Sequence, residues 1–363
     1  VIDTAEAEFW LQGSATFPEQ PKGFTQLQLN TSEQTKGPEA GVLSALWVDL
    51  YRQQQTTIFT EASIAGMNAS VSPSFGIQMT FSGFTDKQPE LIKRSLEALR
   101  IEPSEEEFIQ AVDRFTRGLE NSRFGFPVRQ LFPAIRRLTQ TGAFNQEDLL
   151  QAANAATLEA LSGHIEQQLS TAYVRGYRFG NYSEEDVQSL ADLIARVLPN
   201  RSGDTYTRAA TYAPQPGSTL VYQENLPVED LGMAYLFAAP KASIENIAKG
   251  ELLAAHLSNR AFNQLRTEEQ LGYAAGGFAT QLGDHPMVGF YIQTPVKAPI
   301  AMLERFDDYR AEFASDLEAL DQAEFEQLEE QRQRLPLLRI QLLKLTDNLE
   351  QAERRSRQIL GLI

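Results

Sequence analysis

The chain has 363 residues, enough for two or three domains that each bury a core. Its 42% hydrophobic and 22% charged residues fit a globular protein, and the formal net charge of −16 disfavours nucleic acid and anionic lipid as partners. With no Cys, disulfides, thiolate zinc sites, iron–sulfur clusters and Cys nucleophiles are excluded, and only His164, His256 and His285 supply imidazole.

In chain order, Phe9 to Gln12 and Phe24 to Asn30 read as strands, the second alternating in character. Ala40 to about Ser63 has helical spacing at Val42, Leu43, Leu46 and Leu50, and Gly66 ends it. Met67 to Ser72 and Phe75 to Phe84 form a predicted hairpin, followed by an amphipathic helix over Leu91 to Leu99. Ser104 and Glu107 are a capping box for a helix through Leu119, and Gly125 with Pro127 separates the next one. Asn145 is predicted to cap one long helix through Leu169. Thr171 to Phe179 then reads as a strand, and Ser183 with Asp186 opens a helix to Leu198.

Pro199 to Gly217 has linker composition. The expected organisation is a first module over 1–199, a linker over 200–217 and a second module over 218–363. In the second, strands are expected at Thr219 to Gln223 and Gly232 to Ala238, and a helix from Ser243 to Glu268. A hairpin over Tyr273 to Thr280 and Met287 to Gln293 follows, then a helix from Ile300 to Phe313. A charged helix to Pro336 and a last helix from Thr346 to Ile363 close the chain.

The halves look like a duplication. Leu29 to Leu236 is an offset of 207, Gly66 to Gly272 of 206 and Phe81 to Ile292 of 211. Ala65-Gly66-Met67 thus aligns with Leu271-Gly272-Tyr273, each a helix-to-strand corner where a positive φ would favour Gly. The fold class is α+β: two homologous modules, each a mostly antiparallel sheet of about four to six strands with helices packed on one face. The second lacks a counterpart of the Thr171 to Phe179 strand. Val1 in place of an initiator Met suggests a fragment or processed chain, and the missing strand suggests that it ends inside its last domain. No apolar run of about 18 residues suggests a membrane span.

Catalytic motifs are scarce. Neither H-E-x-x-H nor H-x-x-E-H occurs, nor a G-x-S-x-G elbow, a P-loop or a G-x-G-x-x-G turn. Glu251 and His256 are five apart, which does not place them on one helical stripe, and no metal site is expected in this chain. The informative segment runs from Arg260 to Tyr273. A helix there would bury Phe262 and Leu265 and leave Arg266 near its C-terminus, with Tyr273 just past the Gly corner. A guanidinium and a phenol at one corner could hold a peptide carbonyl or a developing oxyanion. From the residues alone, the alternative is that Arg266 pairs with Glu268, Glu269 or another acid and that Tyr273 is a core-edge residue.

Leu265-Arg266-Thr267-Glu268-Glu269-Gln270-Leu271-Gly272-Tyr273 resembles the R-x-x-E-Q-L-G-Y motif in the C-terminal half of the pitrilysin and insulin-degrading-enzyme family, the inverted-motif zinc proteases. Phe290 to Thr294, Phe81 to Lys87 and Phe179 to Asp186 occur in that family's order. The resemblance implies four homologous modules around a peptide chamber, with this chain as the third and fourth. It implies that Arg266 and Tyr273 reach the substrate at the zinc site and that Phe262 is an apolar substrate-binding position near them.

Zinc, and the general-base step beside it, would belong to an N-terminal zinc-bearing half, the expected partner together with peptide substrates. The chain alone is expected to be inactive and to carry no cofactor. The rival readings are a catalytically inactive scaffold or partner subunit of a peptidase complex, and an unrelated acidic interaction protein. The resemblance in a Cys-free chain points to a bacterial periplasmic setting.

Overall fold

The computed structural model describes residues 1–323 and 326, apart from 16–17, 34–35, 200, 202, 204–205, 213–214, 216, 240–242, 283–284 and 296–297. The helices expected to Pro336 and from Thr346 onward lie essentially outside the described residues. The described chain is α+β with mostly antiparallel sheets, and it divides into two compact units, 1–119 with 144–209 and 120–143 with 210 onward.

The first unit holds β1 (Ile2–Asp3), β2 (Ala7–Gln12), β3 (Lys22–Asn30), α1 (Pro38–Gln54), α2 (Thr56–Ile64), β4 (Asn68–Pro73), β5 (Gly76–Phe84), α3 (Gln88–Glu97) and most of α4 (Glu105–Ser122). After α5 (Pro127–Thr139), which belongs to the second unit, come α6 (Gln146–Ala155), α7 (Leu158–Thr171), β6 (Tyr173–Gly180) and α8 (Glu184–Val197). The sheet order is β1-β2-β6-β3-β5-β4, antiparallel except where β2 runs parallel to β6.

Alternation in β3 explains its two faces. Leu27 and Leu29 enter the core with Ile77, Met79 and the α1 residues Leu46, Trp47 and Leu50, while Gln26 and Gln28 face the other side of the sheet. The Trp47 indole donates to Leu99 O at 2.9 Å and the Tyr51 hydroxyl to Ser95 O at 2.7 Å, so the two buried polar tips of α1 are satisfied. Both capping boxes form: Glu107 N donates to Ser104 Oγ at 3.3 Å and Asp186 N to Ser183 Oγ at 3.1 Å. The single helix expected from Asn145 to Leu169 is two. Ala156 turns extended and Thr157 caps the next helix, its hydroxyl accepting from Ala160 N at 3.1 Å.

The second unit contains β7 (Leu231–Ala238), α9 (Ile244–Ala261), a π-helical segment (Phe262–Glu268), β8 (Ala274–Leu282), β9 (His285–Thr294) and α10 (Pro299–Ala319). Its antiparallel sheet has the order β7-β9-β8, which repeats the β3-β5-β4 order of the first unit. Its core centres on Phe290, which meets Tyr235, Phe306 and Tyr309 edge-on. Helix α5 packs on this sheet, with Phe132 edge-on to Phe278 at 5.0 Å, although its sequence position had placed it in the first module.

Three further details differ from the sequence reading. The sheet has three strands among the described residues, and Thr219 to Gln223 is not a strand. The first unit's equivalent, β2, is held in register by β6, and no described strand of the second unit plays that part. The offset of 207 is one residue off. Met233 and Tyr235 face the core opposite Ile292 and Phe290, so Leu27 corresponds to Tyr235, and matching Leu29 with Leu236 would turn the strand inside out. The offsets 206 and 211 agree with each other, since Ala69 pairs Phe81 where Ala275 pairs Ile292.

Candidate functional site

Tyr273 is the residue immediately before β8, and its position is set by sheet register. On the central strand β9, Gln293 lies opposite Gly232 of β7 on one side and Ala274 of β8 on the other. Asp230, just before β7, and Tyr273 therefore flank the end of β9 where Gln293 sits. The Tyr273 hydroxyl donates to Asp230 Oδ2 at 2.5 Å, and the Gln293 amide donates to the same oxygen at 2.8 Å and to the Tyr273 hydroxyl. Gln293 is 1% exposed, and its carbonyl accepts from Val128 N of α5 at 3.3 Å. The phenol is thus fixed by a buried amide anchored to a helix terminus.

The electrostatics follow from these bonds. The hydrogen bond from Tyr273, then that from Gln293, holds the Asp230 carboxyl below its ordinary range. By accepting the hydrogen bond from the phenol, Asp230 in turn raises the Tyr273 pKa and keeps the hydroxyl protonated. The phenol is 45% exposed and stands edge-on to Phe126 at 6.3 Å between ring centroids.

The helical stretch expected to run from Ser243 to Glu268 changes character at Phe262. The α-helical ladder ends at Ala261 and a π-helical turn follows, closed by Glu269 N donating to Gln264 O at 2.9 Å and Leu271 N to Leu265 O at 2.9 Å. Only Leu265 of the π segment is buried; Phe262, expected to be buried with it, is 41% exposed. The Arg266 guanidinium lies over the Phe262 ring at 4.5 Å. Arg266 makes no ion pair among the described residues. Glu269 is taken by Arg305 at 2.8 Å, which also reaches Glu312 at 3.2 Å; the bond to Glu269 is the main reason that the Arg305 pKa is raised.

The corner itself corrects one expectation. Gly66 has φ +76°, but the positive φ of the second corner falls on Gln270, at 52°. Gly272 is needed for another reason: a Cβ there would lie 2.0 Å from Gln293 O, so only Gly lets the chain pass this close to β9.

The structure therefore brings Phe262 and Arg266 together, and separately joins Tyr273 to Asp230, Gln293 and Phe126. No hydrogen bond or ring contact links the two groups among the described residues. Asp230 and Gln293 were missed by sequence reasoning. The signal for Gln293 was a lone polar side chain at the end of the apolar run Phe290-Tyr291-Ile292, whereas Asp230 carries none.

The histidines lie elsewhere. His164 accepts or shares hydrogen bonds with Ser44 at 2.8 Å and Gln168 at 3.1 Å inside the first unit, and burial lowers its pKa to about 4. His256 lies against Phe313, and His285 begins β9. Among the described residues no group of three or more His, Asp or Glu could hold a metal ion, and no helix is long and apolar enough to cross a membrane.

Comparison with known proteins agrees with this architecture. Residues 1–152 match the middle or third domain of peptidase M16, and residues 252–354 match the PQQ synthase PqqF-like C-terminal lobe domain 4. This is the pattern of an M16, pitrilysin-like C-terminal half.

Protease 3 of Salmonella typhi is 23% identical over 333 residues, 91% of this chain and 34% of the relative. Human insulin-degrading enzyme is 23% identical over 282 residues, covering 75% and 28%. The chain thus spans about a third of the length of the curated relatives it matches. In fold it is similar to pitrilysin, with a TM-score of 0.83 at 22% identity over 98% of this chain and 37% of that one. The peptidase M16 inactive domain from Pseudomonas fluorescens superposes with a TM-score of 0.66 at 13% identity, over 90% of this chain and 80% of that one.

Proposed function

We propose that this chain is the non-zinc half of an M16-type metalloendopeptidase. It contributes one wall of a peptide chamber and presents Arg266 and Tyr273 to a peptide held at a zinc site on an N-terminal half. The observation that carries this reading is the exposed phenol of Tyr273, held by Asp230 and the buried Gln293 amide at the end of the motif that the family resemblance singles out.

In this arrangement the phenol keeps its proton and donates it in a hydrogen bond to the Asp230 carboxylate. A substrate carbonyl that becomes an oxyanion is a stronger acceptor than a neutral carbonyl, so it would compete for that proton as charge develops. Arg266, stacked on Phe262, supplies a second donor. Phe262 lies beneath the guanidinium and offers an apolar surface to a peptide side chain. Zinc, when bound by the other half, would activate water and polarise the carbonyl. The periplasmic setting is part of the same proposal and rests on the resemblance.

The test is reconstitution. The full chain alone is expected to bind no zinc and to cleave no peptide, and to restore peptidase activity when mixed with a zinc-bearing N-terminal M16 half. Zinc bound stoichiometrically by the isolated chain, or hydrolysis by it, would contradict the assignment.

A further inference from the structure

The stretch 121–143 stands out from the rest of the molecule. In a chain of net charge −16 it contains Arg123, Arg129, Arg136 and Arg137 and no acid. Arg137 is paired with Glu224, and Arg136 donates to Gln140 at 3.3 Å. Arg123 and Arg129 make no ion pair among the described residues, although acids outnumber bases 48 to 32. Between them, Phe124 is 64% exposed and Phe126 is 53% exposed. Arg129 lies over the Phe126 ring at 5.6 Å, and the same ring is edge-on to Tyr273. Exposed aromatic rings beside cations with no acidic partner are the composition of a binding surface, since apolar rings and Arg dominate interface energetics.

We propose that Phe126 and Arg129 form a peptide subsite next to Tyr273, and that it takes a bulky apolar side chain flanked by a carboxylate. This deepens the function proposed above and rests on it. The Phe126 and Tyr273 rings offer an apolar contact, and Arg129 offers a guanidinium over the Phe126 ring. The anion preference comes from local charge: residues 121–143 carry four Arg and no acid, and the nearby Asp230 carboxylate is already engaged by the Tyr273 hydroxyl and the Gln293 amide. A cationic peptide side chain would meet Arg129 and Arg123 without a compensating acid on this segment. The segment was legible in the sequence only as a divider between helices, and its place beside Tyr273 follows from α5 packing on the second sheet.

The experiment measures fluorescence anisotropy of the full chain with three labelled decapeptides on one Gly/Ser background. They carry a Phe flanked by two Glu, the same Phe flanked by two Lys, or an Ala flanked by two Glu. The Glu–Phe peptide is expected to bind about fivefold to tenfold tighter than either of the others, with the advantage over the Lys peptide shrinking at high salt. Arg129→Gln should erase the charge preference. Phe126→Ala should weaken the Glu–Phe peptide about tenfold, and Phe126→Leu should retain most of the affinity. An unchanged thermal midpoint for these exposed positions confirms that each variant is folded.

Equal affinity for the Glu and Lys peptides, or no response to Phe126→Ala and Arg129→Gln, overturns the subsite; so does a lack of binding by all three peptides. Weakening by Arg266→Ala and Tyr273→Phe alone would sink the subsite and leave the proposed function standing. Weakening by the Phe126 and Arg129 variants alone would support the subsite and remove the donor roles.

Discussion

The two helix-to-strand corners, Ala65-Gly66-Met67 and Leu271-Gly272-Tyr273, are built on the same three-strand frame and end differently. In the first unit, the residue after Gly is Met67, half-buried against the core, and the preceding helix α2 closes normally. In the second, the helix relaxes into a π turn, Gln270 takes the positive φ, and Tyr273 emerges half-exposed, tied to Asp230 and Gln293. The duplicated scaffold supplies the corner. The departures from regular geometry cluster at the copy that carries the candidate site, which is where strain and π-turns are expected to be tolerated.

The comparison can be broken most forcefully through the core of the second unit. Phe290 is 1% exposed and contacts three aromatic rings, so Phe290→Ala should cost about 3–5 kcal/mol, read as a shift of the denaturant midpoint. A loss below about 1 kcal/mol would mean that this frame is not held by that ring.

The first unit has a pH-dependent element that has no described equivalent in the second. His164 is held neutral between Ser44 and Gln168, with its pKa lowered from about 6.5 to about 4 mainly by burial and only partly offset by Glu33. The unfolded chain therefore binds more protons between those values, and stability must fall as pH drops through that window. The shift corresponds to about 3 kcal/mol, fully lost below pH 4. Stability measured from pH 7 to pH 4 should decline less steeply in His164→Gln, and parallel curves for the two proteins would refute the account.

At the corners themselves, Gly272→Ala should destabilise by about 1–3 kcal/mol because the new Cβ collides with the backbone of β9. Gly66→Ala meets a strained φ instead and should cost about 1 kcal/mol. Thermal midpoints in the reverse order would show that the second corner yields more readily than its geometry implies.

The smallest effect concerns a titration. Asp230→Ala should bring the Tyr273 phenol back toward its ordinary pKa, because the hydrogen bond to Asp230 is the main cause of the rise. A spectroscopic difference titration against Tyr273→Phe isolates that one tyrosine, and an unchanged curve would show that Asp230 does not stabilise the protonated phenol.

Much of the frame was legible because it is written in local patterns. The alternation of Leu27 and Leu29, the Ser104 and Ser183 capping boxes and the two hairpins all follow from nearest-neighbour chemistry. The break at Thr157 was not legible, since a helix interrupted by Ala and Thr retains apolar spacing on both sides. Thr219 to Gln223 misled for the opposite reason: its β propensity is real, but a strand needs a neighbour to pair with. The one-residue slip at Leu236 shows how little periodicity alone fixes a face when both faces of a strand are apolar. At the candidate site, Arg266 and Tyr273 were expected from the motif and Phe262 from its place just before it, while Asp230, Gln293, Phe126 and Arg129 come together only through tertiary structure.

The most direct test of the central claim is turnover by the reconstituted peptidase carrying Tyr273→Phe or Arg266→Ala, with zinc content measured on the same samples. The account predicts a fall in kcat of about 10²–10³-fold for each variant at unchanged zinc occupancy. Full turnover in both variants would contradict it.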